Sequence, residues 1–376
     1  MIDRHEKPLP THIETAVIGG GTAGCSTALH LALMGRPVIL FEQRLCGSQA
    51  SGANYGGVRQ QGRCEEEMSL SFRARGLWEK MAKIVGHDCG FRPSGHLKLA
   101  RTEAQFADLE SWAAMAKRHG LEIVLYDKKT LHDLHPYLSD EALGGSFCAS
   151  DGSANPRITA PLFARAAETA GADLREQCPV KGLSREGAGF RIELADGRSL
   201  ATDVIVNTAG AWGAGLAAQL GDDYPEGLLA PNMNVTEPLP PVLTVNFGVC
   251  GGDIYFRQTG RGNVIFGGGR GTGDRDRICA RPLAEVNAGQ ASRVIRMLPC
   301  LRSALVIRSW SGLDGEMPDV RPVFGESPKV PGLFHAFGFS GHGFQLGPGA
   351  GAVLCDLVTK GKTETDISGL SPRRFL

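Results

Sequence analysis

Apolar positions along this chain switch repeatedly between two periods, and each switch marks an element. Residues 13–18 (IETAVI) form a short apolar run that predicts a buried strand. After the glycines at 19–21, Ala23, Ala28, Leu31 and Ala32 fall at helical spacing, and Gly35-Arg36-Pro37 ends that helix. Residues 38–41 (VILF) read as a second buried strand. Leu70, Ala74, Leu77, Met81 and Val85 share one face of a helix predicted over 65–85. Alternation over 91–99 predicts a strand with Leu97 and Leu99 on one side. Thr102-Glu103-Ala104-Gln105 has the capping-box form, so a helix starts there and ends at Gly120. A strand over 122–126 and a short helix within 131–138 follow.

The second half repeats the theme. Residues 156–170 predict a helix, and 182–200 a β-hairpin turning at Asp196-Gly197. Residues 202–207 (TDVIVN) form a buried strand leading into Thr208-Ala209-Gly210-Ala211-Trp212. From 231 to 310 the chain reads as strands with polar turns, clearest over 242–249, 253–258 and 263–268, with a helix over 283–297. A last apolar strand, 333–339, leads into Ser340-Gly341-His342-Gly343-Phe344-Gln345 and a closing helix over 347–358. Strand–helix units at the two ends thus bracket a strand-rich middle, the order of an α/β protein with a second, inserted domain.

The chemistry starts at Gly19-Gly20-Gly21-Thr22-Ala23-Gly24, which fits G-x-G-x-x-G between a strand and a helix. Gly19 makes the tight turn, Gly21 lets backbone approach a pyrophosphate, and Gly24 permits close helix–strand packing. Glu42 ends the second strand, placed to accept hydrogen bonds from an adenosine ribose. The stretch from Thr15 to Gly35 carries no formal charge and is long enough to suggest a membrane span. The glycines in it, with Glu14 and Arg36 as flanks, favour a strand–turn–helix instead. The long polar loop 44–63 has the small residues that let backbone lie flat on a ligand, with Ser48 and Ser51 free to meet phosphate; the plainer alternative is a surface loop.

Composition narrows the classes. At 376 residues, the chain suits two interleaved domains. Forty basic and forty acidic side chains cancel, leaving no net field for nucleic acid or anionic membrane. The polar N-terminus, MIDRHEKPLPTH, lacks the apolar region of a signal peptide. Ten cysteines without C-x-x-C spacing imply reduced thiols in the cytoplasm and no zinc or iron–sulfur site within this chain. His132 and His135 have no carboxylate or cysteine pattern near them, so no metal site is assigned.

The ordered set of Gly19–Gly24 with Glu42, loop 48–63, Asn207-Thr208-Ala209-Gly210-Ala211-Trp212, Trp310-Ser311-Gly312-Leu313 with Pro318-Asp319, and Gly338-Phe339-Ser340-Gly341-His342-Gly343-Phe344 resembles the FAD-dependent D-amino-acid oxidase superfamily, in its glycine oxidase and sarcosine oxidase branch. Residues 51–62 and 340–346 look most like the β subunits of multi-subunit opine, proline and hydroxyproline dehydrogenases. The resemblance implies a Rossmann-like FAD-binding domain of glutathione-reductase type (1–85, 145–225 and 320–376) with an inserted, mainly antiparallel substrate domain (86–144 and 226–319). It implies a non-covalent FAD site at Gly19, Gly21, Thr22, Ala23, Gly24, Glu42, Gln43, Arg44, Ser48, Ser51, Gly52, Ala53, Asn54, Val180, Thr208, Ala209, Gly210, Trp212, Gly338, Gly341, His342, Gly343, Phe344 and Gln345. It also implies oxidation of a C–N bond in an amino acid or opine by hydride transfer to flavin N5. Partner subunits would carry an iron–sulfur centre and a further flavin, with FMN at an interface between chains.

Three departures from the branch bear on chemistry. Gly312 stands where a flavin-tethering cysteine is expected, Asp314 where an arginine would hold the substrate carboxylate, and Gln345 where the final loop carries a lysine. Arg59, Tyr255 and Arg257 are then the candidates for the substrate anchor, with His342 beside the flavin. Counting from Tyr255, the lysine that favours O₂ reduction falls on Phe266, so electrons are expected to leave through a partner. Two rival readings remain: a self-sufficient oxidase, and an FAD-binding scaffold without a substrate site.

Overall fold

The computed structural model describes residues 8–376; residues 1–7, most of the polar N-terminal stretch, lie outside them. The first sheet has eight strands. Its central order is Val323–Glu326, Leu333–Phe337, Ser199–Asn207, His12–Ile18, Val38–Phe41 and Asp173–Arg175. The four pairings from Leu333–Phe337 to Asp173–Arg175 are parallel, whereas Val323–Glu326 runs antiparallel. The antiparallel strands Val180–Glu186 and Gly189–Leu194 fold back on Ser199–Asn207. The expected hairpin and the strand after it are therefore one continuous meander.

Pleating sends neighbours of the first strand to opposite faces. Val17 packs among helices with Leu29, Leu31, Phe163 and Val353, while Ala16 and Ile18 pack with Leu183, Phe190 and Ile192 of the meander. Helices on one face and strands on the other make the strand run apolar throughout, which explains its unbroken reading.

The second sheet also has eight strands, in the order Val306–Ser311, Pro231–Pro238, Asn263–Arg270, Tyr255–Gln258, Asn246–Val249, His96–Ala100, Gly144–Cys148 and Val124–Asp127. Only Asn246–Val249 and His96–Ala100 pair in parallel. The expected mixed α/β fold with a largely antiparallel second sheet is present. Gly144–Cys148 belongs to this second sheet, so the chain returns to the first sheet after Cys148 and not at 145. That strand escapes sequence reading because its glycines are steric: a Cβ on Gly144 would meet Phe106 at 2.7 Å.

Other boundaries shift for identifiable reasons. The helix expected over 65–85 divides into a short 3₁₀ turn, Met68–Trp78 and Met81–Val85. The break follows Trp78, whose buried indole N–H is held by the Gln345 carbonyl at 2.9 Å. The strand expected over 91–99 starts only at His96, because Pro93 has no N–H and the Gly95 N–H goes to the Asp151 carbonyl. The strand expected from 242 starts at Asn246, since Gln258 Oε1 takes the N–H groups of Val242 and Leu243. The closing helix starts four residues early and spans Gly343–Lys360.

That helix tolerates its glycines because they are contact points. A Cβ on Gly347 would lie 2.9 Å from Thr22, and one on Gly349 2.8 Å from Ala74. One on Gly351 would overlap Ser26 of the first helix, Thr22–Leu33. Gly351→Val should therefore destabilise the fold by about 1–3 kcal/mol, read as a lowered melting temperature. Gly76→Ala, where no atom lies within 4 Å of the new methyl, should stabilise by about 0.5–1 kcal/mol.

Candidate active site

A cavity of about 1200 Å³ is walled by residues of both sheets. At the glycine turn, Gly19 has φ +107°, and a side chain there would overlap the Thr208 carbonyl. A Cβ on Gly24 would overlap the Gly19 carbonyl oxygen. The helix Thr22–Leu33 starts with no side-chain cap from Gly21. Its Thr22 N–H instead donates across to Ser51 Oγ at 2.9 Å. Glu42 accepts the Gly20 and Arg44 N–H groups, each at 2.7 Å. Burial pushes its carboxyl up while those two bonds oppose the shift. Bare backbone, a free helix N-terminus and a buried acid at the strand end fit a dinucleotide.

A second wall is the loop 338–343. Gly341 N–H donates to Asp314 Oδ2 at 2.8 Å, and Ser340 N–H to the Gly315 carbonyl at 2.9 Å, so the loop is fastened to the strand Asp314–Glu316. Burial pushes Asp314 up to about 6 and the neighbouring Glu226 up to about 8. Glu226 Oε2 accepts the Ala214 N–H, and its Oε1 has no partner among the described residues. Loop 48–54 is held by Asn54, which donates to the Ala50 and Ser51 carbonyls, and by the Trp310 indole on the Ala53 carbonyl at 2.7 Å.

The third wall is cationic. Arg59, Arg63 and Lys98 line it with His96, Tyr55, Tyr255 and His342. Arg59 donates to the Gln61 carbonyl. Arg63 is 2% exposed, and its Nε and Nη1 find no partner among the described residues. Burial, then repulsion from Arg59, disfavours the Lys98 charge. The rings of Tyr55 and Tyr255 meet edge-on at 4.9 Å, and burial pushes both phenols up, leaving neutral O–H groups. Beneath them, Glu67 accepts from His342 Nδ1 at 2.9 and 3.0 Å. Asp151 accepts the N–H groups of Gln60 and Gln61 at 2.7 and 3.0 Å.

A family model described as FAD dependent oxidoreductase matches residues 14–357. The chain belongs to this family. It is 28% identical to glycine oxidase of Geobacillus kaustophilus over 96% of this chain and 97% of that protein. It is 26% identical to the opine oxidase B subunit of Agrobacterium tumefaciens over 96% and 98%. The crystal structure of L-proline dehydrogenase from P. horikoshii superposes with a TM-score of 0.88 at 27% identity, covering 98% of both chains. The protein is thus an FAD-dependent oxidoreductase.

In this flavoprotein, Gly19, Gly21, Thr22, Ala23, Glu42, Gln43, Ser48, Ser51, Ala53, Asn54, Val180, Thr208, Ala209, Gly210, Trp212, Gly341, His342, Gly343 and Phe344 line the cavity, as do Arg59 and Tyr255. Gly24, Arg44, Gly52, Gly338 and Gln345 are not among the lining residues. A side chain on Gly52 would overlap the Gly47 carbonyl, and a Cβ on Gly338 would meet Met317 at 2.7 Å. The Gln345 amide is bound to Ser71. Arg257 is turned away: its Nε donates to the Tyr55 carbonyl at 2.9 Å and its guanidinium sits over the Tyr55 ring. It braces Tyr55 from outside the cavity.

Phe266 is also misplaced by counting. Tyr255 stands opposite Gly267, while Phe266 pairs with Phe256 and packs into the core on the other face. Sequence reading missed Lys98, Arg63 and Glu67. Lys98 carried a usable signal, since Leu97 and Leu99 on the core face put the lysine on the other face.

No cysteine is among the described residues that line the cavity, and a Cβ on Gly312 would sit 2.6 Å from Ala53 Cβ. Acid precipitation of the yellow protein should therefore leave its FAD in the supernatant; colour in the pellet would show a covalent link. Gly21→Asp should yield folded, colourless protein, measured by absorbance and circular dichroism, because a carboxylate would face the pyrophosphate.

Proposed function

We propose that this flavoprotein oxidises the C–N bond of an N-substituted amino acid, opine-like or proline-like, and passes the electrons to a partner chain. The observation that carries the reading is the cationic wall: Arg59, Arg63 and Lys98 beside neutral Tyr55 and Tyr255. Bidentate guanidinium groups suit a carboxylate, and Arg63 has unspent donors to give one. The buried acids nearby, Glu67 and Asp151, are already bonded to His342 and to backbone. Three cations against these two acids leave a net positive charge to meet a substrate carboxylate. FAD, when bound, supplies the two-electron acceptor. The chain's own residues grip the carboxylate, orient the amine and exclude water.

The likeness to one component of an opine oxidase, over nearly its whole length, supports a multi-subunit assembly; an iron–sulfur centre and FMN on or between partner chains complete the proposal. The ten unpaired cysteines support a reducing compartment, the cytoplasm. Lys98 favours a second reading. A cation at the cavity wall stabilises developing superoxide, as a self-sufficient oxidase requires.

Two measurements decide these points. Anaerobic addition of amino acids and opines should bleach the flavin, and Arg59→Lys should weaken the apparent affinity by about 1.5–3 kcal/mol, roughly ten- to a hundredfold. Arg257→Lys should leave that affinity near wild type. Substrate-reduced protein should reoxidise slowly in air and quickly with an artificial dye; rapid peroxide formation that is lost in Lys98→Met would establish the oxidase reading.

A further inference from the structure

The His342–Glu67 pair has no assigned task, and its geometry is specific. His342 lies at the start of the helix Gly343–Lys360, its side chain 14% exposed, and it lines the cavity. Its Nδ1 faces both oxygens of Glu67, a fully buried carboxylate. Burial alone would push Glu67 up. The hydrogen bond from His342 and the charge of Arg63 oppose that, and the carboxyl is held well down. An ionised carboxylate only accepts, so Nδ1 carries the proton and Nε2 keeps its lone pair. The described hydrogen bonds of the ring all run through Nδ1, so Nε2 is the nitrogen without a described partner on a residue that lines the cavity.

Substrate chemistry requires a proton acceptor close to this place. An amino acid binds as an ammonium, whose nitrogen has no lone pair, and C–N oxidation needs the free amine. Nitrogen and carboxylate share one carbon, so an acceptor for the ammonium proton must lie beside the carboxylate anchor. His342 meets that condition, because it lines the same cavity wall as Arg59 and Arg63.

We propose that His342, positioned and charge-compensated by Glu67, accepts the ammonium proton of the bound substrate. The step breaks the substrate N–H bond, leaves its electron pair on nitrogen and forms Nε2–H; no oxidation state changes. The imidazolium so formed is neutralised by Glu67, the part a carboxylate plays behind a catalytic histidine. Burial, then Arg63, lowers His342 to about 4, with Glu67 opposing and Arg59 assisting, so the ring is neutral in the free enzyme at pH 7; a substrate carboxylate on Arg59 and Arg63 offsets their repulsion and raises its basicity. His96 and Lys98 face the same cavity from the second sheet, and burial lowers both. The cations that lower His342 also disfavour the substrate ammonium.

This inference rests on the proposed amine oxidation. Its test is the pH dependence of anaerobic flavin reduction in FAD-loaded enzyme, with sarcosine, L-proline and an N-(1-carboxyethyl) amino acid as probes. Wild-type reduction should remain fast well below the pKa of the free amine. His342→Asn should lose roughly a hundredfold at pH 7, with its inflection moved up by at least one unit, and recover to within about threefold at pH 10. Glu67→Gln should lose roughly tenfold with a smaller displacement and unchanged FAD content. Equal losses at every pH, or unchanged profiles, would overturn the proton-transfer role while leaving the oxidation intact. A wild-type inflection at the free-amine pKa would overturn it without any variant. No bleaching by any probe at any pH would overturn both readings.

Discussion

The structure depends on one close approach. At the first turn the helix Thr22–Leu33 comes so near the strand His12–Ile18 that Gly24 can carry no side chain against the Gly19 carbonyl. The same approach points the uncapped helix N-terminus into the cavity and brings Gly20 N–H within 2.7 Å of Glu42. The closing helix is then drawn onto the first through Gly347 and Gly351. Docked there, its first turn holds His342 over Glu67 and Gln345 over Ser71. A larger residue at Gly24 or Gly351 would therefore disturb both the nucleotide end and the catalytic end.

Electrostatics divide the cavity in a way that suits the reaction class. Burial raises Glu226 and Asp314 near the loop 338–343, which favours their neutral forms. The opposite regime holds at the second sheet, where arginine and lysine charges crowd together over two bonded carboxylates. Such a wall is costly without an anion to meet it. In the proposed reading the substrate carboxylate is that anion, and the tyrosine pair adds neutral donors without adding charge.

Where positive charge meets the cavity turns on strand register. Counting residues from Tyr255 leads to Phe266, yet the ladder puts Gly267 opposite the tyrosine and buries Phe266 in the core. The cavity's lysine arrives from another strand, His96–Ala100. A count along the chain from Tyr255 is therefore no measure of the charge in the site.

The sequence by itself determined what is local: the glycine turn, Glu42, the capping box at Thr102, the turn at Asp196-Gly197, and the family's ordered motifs. Such features rest on backbone conformations and spacings within a few residues; the glycine turn, Glu42 and the hairpin turn are kept, and at Thr102 the side-chain cap forms while Gln105 reaches back to the Arg101 N–H. Tertiary structure decided the rest. Arg257 points away from the cavity because a carbonyl some two hundred residues earlier takes its guanidinium. Arg63 and Glu67 became site residues because the chain's last helix lies over them, and Lys98 because a parallel strand, Asn246–Val249, places its outer face on the cavity. Gly144–Cys148 reads as loop until Phe106 and Tyr126 leave no room for side chains on it. Local pattern sets what a segment can become; distant neighbours decide which face of it is buried and which meets the substrate.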